Sequence, residues 1–218
     1  MKNLLFVNSH NHDMQIHLYA DFLSRTSYIK EFDVILHNNN LTNININVVK
    51  DGFLKFPSKN KHLILTANND GGYALGPHKT VDDFWGVIST YDNVISTQAD
   101  EYIIHESKLL DVMNSHMDMA FIVNRGASYV GLTQPSTDLY IIRPKLLSEN
   151  IFKYWNISPF NKLYCENFLE QLLYKFQIPH TYVQRFINDS AMPRAIDMWG
   201  CWHSHDLNEV RQYFIEHA

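Results

Sequence analysis

The segment Val94-Ile95-Ser96-Thr97-Gln98-Ala99-Asp100-Glu101-Tyr102-Ile103-Ile104 decides the fold prediction for this chain. Its beginning, 93–97, is a short apolar and β-branched run, which is typical of a buried strand in a parallel sheet. Asp100 and Glu101 separate this run from a second apolar run at 102–104. Open α/β sheets bind ligands at the carboxyl ends of their strands. The segment therefore indicates either a ligand site at a strand end or a strand end with two solvated acids.

The composition is that of an ordinary globular protein, with 218 residues, 45% hydrophobic residues and 19% charged residues. This length is enough for one large hydrophobic core, so we expect a single domain over residues 1–218. The formal net charge is -5. Lysine and arginine form no stripe, and a nucleic-acid partner is therefore not expected.

Features of the termini and the cysteines predict the cellular location. The N-terminal apolar run, 3–7, is too short for a signal peptide or a membrane span, and polar residues follow it at once. The two cysteines, Cys165 and Cys201, are too few for a disulfide framework, although one disulfide is arithmetically possible. We therefore expect a cytoplasmic protein without a transmembrane segment.

Hydrophobic periodicity predicts that strands and helices alternate along the chain. A strand at 4–8, a helix with apolar residues between positions 16 and 23, and a strand at 32–36 form a βαβ unit. Apolar residues that alternate with asparagines at 44–48 predict a half-buried strand. The other predicted elements are strands at 62–66, 119–123, 137–143 and 181–187, and helices at 81–88, 106–113, 146–155, 166–176 and after Asp206. This order predicts an α/β fold whose central mixed, mostly parallel sheet is flanked by helices.

Asp100 is the first candidate ligand for a divalent cation. An enzyme that cleaves the sugar–phosphate bond of a nucleotide sugar has to neutralise the leaving diphosphate, and a metal held by a carboxylate does this. Oxygen ligands suit Mg²⁺ or Mn²⁺, and Mn²⁺ tolerates an imidazole better. Late in the chain, His203 and His205 would point to the same side of an extended segment. The alternative is two surface histidines beside a capping box formed by Asp206 and Glu209.

The densest loop signal lies at 68–77. Its glycines let the backbone approach a ligand closely, and the start of the helix that follows suits a phosphate. The loop matches neither GxGxxG nor a P-loop, which disfavours classical dinucleotide binding and P-loop phosphoryl transfer. A tight turn followed by solvated helix residues is the alternative. The candidate contacts to the nucleotide or donor sugar are Asn69, Gly71, Gly72, His78 and Lys79.

Two carboxylates are candidates for a catalytic base. Glu166 lies near a predicted helix N-terminus, which keeps a carboxylate ionised and able to accept a proton from a sugar hydroxyl. An ordinary residue of a first helical turn is the alternative. Asp138 lies near the start of an apolar strand, where it could line the acceptor site or replace Glu166 as the base.

Taken in order, these motifs resemble those of GT-A-type glycosyltransferases over residues 1 to about 206. The motifs are the polar loop after the first strand, Asn69-x-Gly71-x-x-x-x-Gly76, Gln98-Ala99-Asp100, Thr137-Asp138, Cys165-Glu166-Asn167 and a late histidine. The stretches 98–104, 136–139 and 202–206 are similar to a small rhamnosyltransferase-like domain encoded by large algal DNA viruses.

The resemblance implies a single-domain GT-A-like fold and the transfer of a sugar from a UDP-sugar or other nucleotide sugar to a hydroxyl of a glycan or other acceptor. It also implies Mn²⁺ or Mg²⁺ as cofactor and inversion at the sugar carbon. Asp100 matches the metal-binding acid of the family's Asp-x-Asp motif, whereas Gln98 replaces its first acid. His203 or His205 matches the late metal-binding histidine, and Glu166 matches the base of inverting members. Contacts to the nucleotide are implied for Asn8, Ser9, His10, Gln98 and Ala99.

Two other functions fit parts of the sequence. A sugar-phosphate nucleotidyltransferase can share this fold class, but it would carry a glycine-rich basic signature near the N-terminus, and residues 8–13 contain no glycine, lysine or arginine. A non-catalytic nucleotide-sugar or carbohydrate-binding domain of the same fold is compatible with the missing first acid at position 98. Metal-dependent hydrolysis of a UDP-sugar would separate an enzyme from a binding domain.

Overall fold

The structure, a computed structural model, describes residues 1–10, 13–67, 72–126, 134–163, 165–184 and 196–217. Of residues 72–75, 126, 134–136, 165 and 166 it describes the backbone alone.

Strands within the described ranges form two sheets. They are β1 (Asn3–Ser9), β2 (Asp33–Asn38), β3 (Lys61–Leu65), β4 (Asn93–Gln98), β5 (Glu101–Ile103), β6 (Phe121–Gly126), β7 (Gln134–Ile142), β8 (His180–Gln184) and β9 (Cys201–His203). A seven-stranded sheet has the order β3-β2-β1-β4-β7-β6-β8, and β5 pairs with β9 in a separate two-stranded sheet.

Helices connect most of these strands. They are α1 (Gln15–Ser24), α2 (Ile46–Leu54), α3 (Gly72–Asp83), α4 (Trp85–Ile88), α5 (Glu106–Ser115), α6 (Cys165–Lys175) and α7 (Leu207–Glu216), with short 3₁₀ turns at 29–31, 144–146, 151–156 and 160–162. No helix in the described part of the chain is both long enough and apolar enough to cross a membrane.

The pairing directions bring most of the strand ends that carry polar residues to one edge of the large sheet. Strands β3, β2, β1 and β4 run parallel to one another, and β6 and β8 are parallel to each other. Among the described strands of this sheet, β7 alone is antiparallel to its neighbours, which are β4 and β6. Its N-terminal half therefore lies at the same edge as the carboxyl ends of the other strands. The strand order reverses beside β1, which is where doubly wound sheets bind their ligands.

Two hydrophobic cores cover the two faces of the large sheet. Along β1, Leu5 and Val7 pack into one core and Leu4 and Phe6 into the other, because alternate side chains of a strand point to opposite faces. The first core contains residues of α1, α2, α5, β5 and β9, and the second contains residues of α3, α4 and α6. Burial on both faces explains why these strands are continuous apolar runs. The predicted mixed, mostly parallel sheet flanked by helices is confirmed.

The predicted strand at 44–48 is wrong, because this stretch is the start of helix α2. Asn45 is the N-cap of the helix, and its side chain accepts hydrogen bonds from the backbone of Asn47 and Val48. Val49, Gly52 and Phe53 are the buried residues of the helix. The asparagines that suggested an alternating strand therefore mark a helix start.

Other predicted elements differ in detail. The helix predicted at 146–155 is a set of 3₁₀ turns, and the strand predicted at 181–187 is β8, beyond which 185–187 lie outside the described residues. Asp206 caps α7 as predicted, since its carboxylate accepts from the backbone of Asn208 and Glu209. The backbone N–H of Asp206 donates to the hydroxyl of Ser204.

Candidate active site

Asp100 lies in the turn where β4 leaves the large sheet and the chain enters β5. The backbone N–H of Ala99 donates to the carbonyl of Asn8 at 2.9 Å, which holds the turn against the end of β1. The Asp100 side chain has no solvent exposure. A carboxylate that is buried at a strand end needs compensating partners, because an isolated buried charge is very costly.

Strand β9 and the residues that follow it supply partners of Asp100. It pairs with β5 so that His203 lies opposite Glu101, and the backbone N–H of Ser204 donates to the carbonyl of Asp100 at 3.1 Å. The approach to β9 is held by Asp197, whose carboxylate accepts from the backbone of residues 199 and 201. The small two-stranded sheet therefore brings the late histidines to the end of β4.

Both histidines converge on one oxygen of Asp100. His203 Nε2 lies 3.2 Å from Asp100 Oδ2, and His205 Nδ1 lies 3.0 Å from the same oxygen. The two imidazole rings are 4.9 Å apart between centroids. His203 is partly buried, whereas the His205 side chain is 70% exposed. The buried carboxylate is thus covered by two imidazoles, one of which faces solvent.

A second group of acids surrounds the other nitrogen of His203. Asp138 Oδ2 lies 3.3 Å from His203 Nδ1, and Glu101 Oε2 lies 3.9 Å from it. The amide of Gln98 donates to Asp138 Oδ1 at 3.2 Å. Three carboxylates, two imidazoles and one amide therefore meet at the sheet edge.

These acids determine the charge state of the histidines. Burial opposes protonation of His203, but hydrogen bonds to Asp100 and Asp138 outweigh it and raise its pKa to about 11. The hydrogen bond to Asp100 also raises the pKa of His205. Without a cation, at least His203 is an imidazolium at neutral pH.

The donor atoms fit a divalent metal ion. Asp100, His203 and His205 offer one carboxylate oxygen and two ring nitrogens within 4.8 Å of one another, and Glu101, Asp138 and His203 form a second such group. Neighbouring ligands of an octahedral cation with bonds of about 2.1 Å lie about 3 Å apart, which matches the separations of both imidazoles from Asp100 Oδ2. Two imidazoles with one carboxylate suit Mn²⁺ and other imidazole-binding metals better than Mg²⁺.

The predicted nucleotide contacts at the end of β1 lie in a polar network. Asn8 pairs with Gln98 on β4 and with His37 on β2. The Ser9 hydroxyl accepts from the side chain of Asn38 at 3.1 Å, and His10 Nδ1 lies 2.5 Å from Asn39 Oδ1. Asn8, Ser9 and His10 are therefore placed at the same edge as Asp100, and their contacts to a nucleotide stay a prediction.

His37, which was not among the predicted site residues, is the last residue but one of β2 and lies at this edge. Burial lowers its pKa to about 4, and its Nε2 lies 2.9 Å from the hydroxyl of Thr66, which follows β3. The ring is therefore neutral at physiological pH. A polar residue at a strand end was the signal that could have identified it.

The structure corrects the role predicted for His78. Helix α3 begins at Gly72, several residues earlier than predicted, so His78 lies inside the helix with no solvent exposure. Its ring packs 4.7 Å from that of Phe168 and 5.8 Å from that of Phe152, between centroids. His78 is thus part of a core and does not face a phosphate.

Lys79, its neighbour, pairs with Asp83 at 2.5 Å and lies over the ring of Trp155. Its contact to a ligand stays a prediction.

The remaining predicted residues are only partly described. Asn69 and Gly71 lie outside the described residues, and Gly72 is the first residue of α3. Glu166 is the second residue of α6, but its side chain is not described. Helix α6 packs on the face of the sheet that carries Tyr140 of β7, so the backbone of Glu166 is at the N-terminal end of a helix on that face. Its role as base stays a prediction.

Comparisons with known proteins support the fold. No family model and no curated protein matches this sequence. Among solved structures, a 4-diphosphocytidyl-2C-methyl-D-erythritol synthase from Anaerococcus prevotii is similar with a TM-score of 0.58 and 10% identity over 99% of this chain and 96% of that one. A glycosyltransferase involved in glycosylation of the major capsid of PBCV-1 is similar with a TM-score of 0.55 and 10% identity over 98% of this chain and 99% of that one. The galactosyltransferase LgtC, solved with donor and acceptor sugar analogues, is similar with a TM-score of 0.54 and 12% identity over 98% of this chain and 94% of that one.

These similarities cover nearly the whole of each chain, at identities that carry information on the fold alone. They include both glycosyltransferases and nucleotidyltransferases. The chain therefore has the GT-A-like fold of nucleotide-diphospho-sugar transferases, as its sequence motifs predicted.

Proposed function

We propose that this protein is a metal-dependent glycosyltransferase that moves a sugar from a nucleotide-diphosphate sugar, in the first place a UDP-sugar, to a hydroxyl acceptor. One observation carries the proposal. Asp100, His203 and His205 form a metal-binding set of donors at the carboxyl edge of a nucleotide-diphospho-sugar transferase sheet.

Asp100, His203 and His205 would hold the cation, with Mn²⁺ preferred over Mg²⁺ because two of the three donors are imidazoles. The cation, when bound, supplies a Lewis acid that neutralises the charge of a departing nucleoside diphosphate. Two features support this assignment: Asp100 lies in the β4–β5 turn at the end of a strand, and the side chain of His205 is 70% exposed, so the group is reachable from solvent.

The nucleotide would lie along the strand ends beside this group. Asn8, Ser9 and His10 end β1, next to Gln98 and Ala99 of the β4 edge. Their amides, hydroxyl and backbone groups are the kinds of donors and acceptors that a base and a ribose require. Asn69, Gly71, Gly72 and the side chain of Lys79 would contact the phosphates or the donor sugar.

Glu166 would take the proton of the acceptor hydroxyl. Its place in the first turn of α6 favours the ionised carboxylate through the helix dipole. A base that acts on the acceptor from the face opposite to the leaving group gives inversion at the sugar carbon.

The experiment is a screen of UDP-, GDP- and dTDP-sugars for Mn²⁺-dependent thermal shift and for hydrolysis or transfer. We expect a UDP-sugar to raise the apparent stability in the presence of Mn²⁺, since ligands that bind the folded state stabilise it. Asp100→Asn should abolish the part of the thermal shift that depends on Mn²⁺. Glu166→Gln should keep the thermal shift and lower turnover by a factor of roughly 10² to 10⁴, with Glu170→Gln on the same helix as the control.

Two results would replace this proposal by another. Release of pyrophosphate from a nucleoside triphosphate and a sugar phosphate, without sugar transfer, would make the protein a nucleotidyltransferase. A thermal shift without any turnover on a broad panel of acceptors would make it a binding domain.

A further inference from the structure

The two ring nitrogens of His203 face two different carboxylates. Nε2 lies 3.2 Å from Asp100 Oδ2, on the side where His205 also converges. Nδ1 points away from this group, toward Asp138 Oδ2 at 3.3 Å. A carboxylate only accepts hydrogen bonds, so the nitrogen that faces Asp138 has to carry a proton.

Asp138 and Glu101 both face Nδ1 of His203, and Asp138 is the closer of the two acids. Glu101 Oε2 lies 3.9 Å from Nδ1, which is beyond hydrogen-bond range. Both acids come from ordered strands, since Glu101 belongs to β5 and Asp138 to β7. Only Asp138 approaches closely enough to fix the orientation of the imidazole.

Gln98 holds Asp138 in turn. Its amide donates to Asp138 Oδ1 at 3.2 Å, which leaves Oδ2 directed at His203. Gln98 and Asp138 are on adjacent, hydrogen-bonded strands, where Thr97 is paired with Leu139. The chain Gln98–Asp138–His203–Asp100 is therefore continuous from the sheet to the cation site.

Metal-binding histidines commonly donate their second ring N–H to a carboxylate, which fixes the tautomer and the direction of the ligating nitrogen. We infer that Asp138 is a positioning residue, which accepts the Nδ1 proton of His203 and so directs Nε2 to the cation held with Asp100 and His205. This inference rests on the proposed function. It assigns a role to Gln98, which stands where the Asp-x-Asp motif has its first acid. It also disfavours Asp138 as the base, because each of its oxygens already lies against a hydrogen-bond donor.

The test compares three variants by Mn²⁺ titration monitored by electron paramagnetic resonance, with Mn²⁺ alone and with UDP added. Asp138→Ala should weaken Mn²⁺ binding by roughly 10-fold to 100-fold, the usual effect of losing such a partner. Asp138→Asn should recover most of this loss, because its amide oxygen can still accept from Nδ1–H. Asp51→Ala, at an exposed carboxylate of α2, should bind Mn²⁺ like the wild type.

Two outcomes would overturn the inference. If Asp138→Asn binds Mn²⁺ as weakly as Asp138→Ala, the carboxylate is a direct ligand. If both variants bind Mn²⁺ normally but Asp138→Asn loses more than about a hundredfold in turnover at saturating Mn²⁺, Asp138 is the base.

A measurement on the wild type keeps the test valid even if the variants fold poorly. Nitrogen-15 spectra of the histidine side chains, with Zn²⁺ as a diamagnetic probe, should show His203 ligated through Nε2 and protonated at Nδ1. Ligation through Nδ1 would overturn the inference. If the protein passes these metal tests but transfers no sugar, the proposed function is wrong and the role of Asp138 stands. If the wild type binds no Mn²⁺, the proposed function and the role of Asp138 are both wrong.

Discussion

The charge of the Asp100 carboxylate is compensated by neighbouring side chains, because the carboxylate is buried away from water. The side chain is fully buried, and two imidazoles approach the same carboxylate oxygen. The proton on His203 offsets part of the carboxylate charge in the protein alone, and a divalent cation would offset it in the loaded protein. Protons and cation therefore compete for the same site, as they do wherever the ligands have to be deprotonated.

This competition makes metal affinity dependent on pH. Asp100, Asp138, Glu101 and His205 face His203, and the hydrogen bonds to the two aspartates overcome burial and raise its pKa to about 11. Below that pH the imidazole has to lose a proton before Nε2 can bind a metal. We therefore expect the affinity for Mn²⁺ to rise by up to about tenfold per pH unit for each proton released.

Calorimetric titration with Mn²⁺ at pH 6.5, 7.5 and 8.5 in buffers of different ionisation enthalpy measures both the affinity and the protons released. His217→Gln, at an exposed histidine near the end of α7, is the control and should leave the pH dependence unchanged. An affinity that stays constant across this range, without proton release, would contradict the charge state of His203.

At the scale of secondary structure, the site depends on how the chain enters β9. Gly200 precedes β9 and has a φ of +77°, a conformation that residues with a side chain rarely adopt. A Cβ there would lie 2.2 Å from the carbonyl oxygen of His105. The backbone of Ile104 and His105 also donates to the carbonyl of Gly200. The position thus joins β9 to the segment after β5 and sets the location of His203.

We expect Gly200→Ala to lower the free energy of unfolding by at least about 2 kcal/mol, since the conformation alone costs roughly 1–2 kcal/mol and the backbone contact has to be relieved as well. The variant should also bind Mn²⁺ more weakly, because a shift of β9 moves His203 away from Asp100. Urea denaturation and Mn²⁺ titration measure the two effects.

Gly86→Ala is the matched control for Gly200→Ala. A Cβ at Gly86, in α4, meets nothing within 4 Å, so this variant should have a stability equal to the wild type or higher by up to about 1 kcal/mol. If both variants are equally stable, the close contact between Gly200 and the backbone of His105 does not restrict which residue can occupy position 200.

At the scale of the whole molecule, the elements that were predicted correctly have local signals. The apolar runs of β1 and β4 are buried on both faces, so their sequence alone indicates a central parallel strand. The stretch at 44–48 was assigned wrongly because an N-cap asparagine and an alternating strand leave the same pattern over five residues. His78 was misplaced because the helix begins before Pro77, which put the imidazole on the buried face.

The site was predictable in its residue types and not in its contacts. Asp100 at a strand end and the paired histidines at 203 and 205 are visible in the sequence. Their meeting depends on the pairing of β5 with β9, which brings His203 to Asp100 although the two are 103 residues apart in the sequence. The contact of Asp138 with His203 likewise depends on β7 lying beside β4, which no local pattern encodes.

The most direct test of the metal site is anomalous diffraction at the manganese edge from crystals of the protein soaked with Mn²⁺ and UDP. We predict one anomalous peak bonded to Asp100 Oδ2, His203 Nε2 and His205 Nδ1, with the UDP phosphates as further ligands. A manganese peak and UDP bound at another place, with no metal bonded to Asp100, would contradict the proposed metal site.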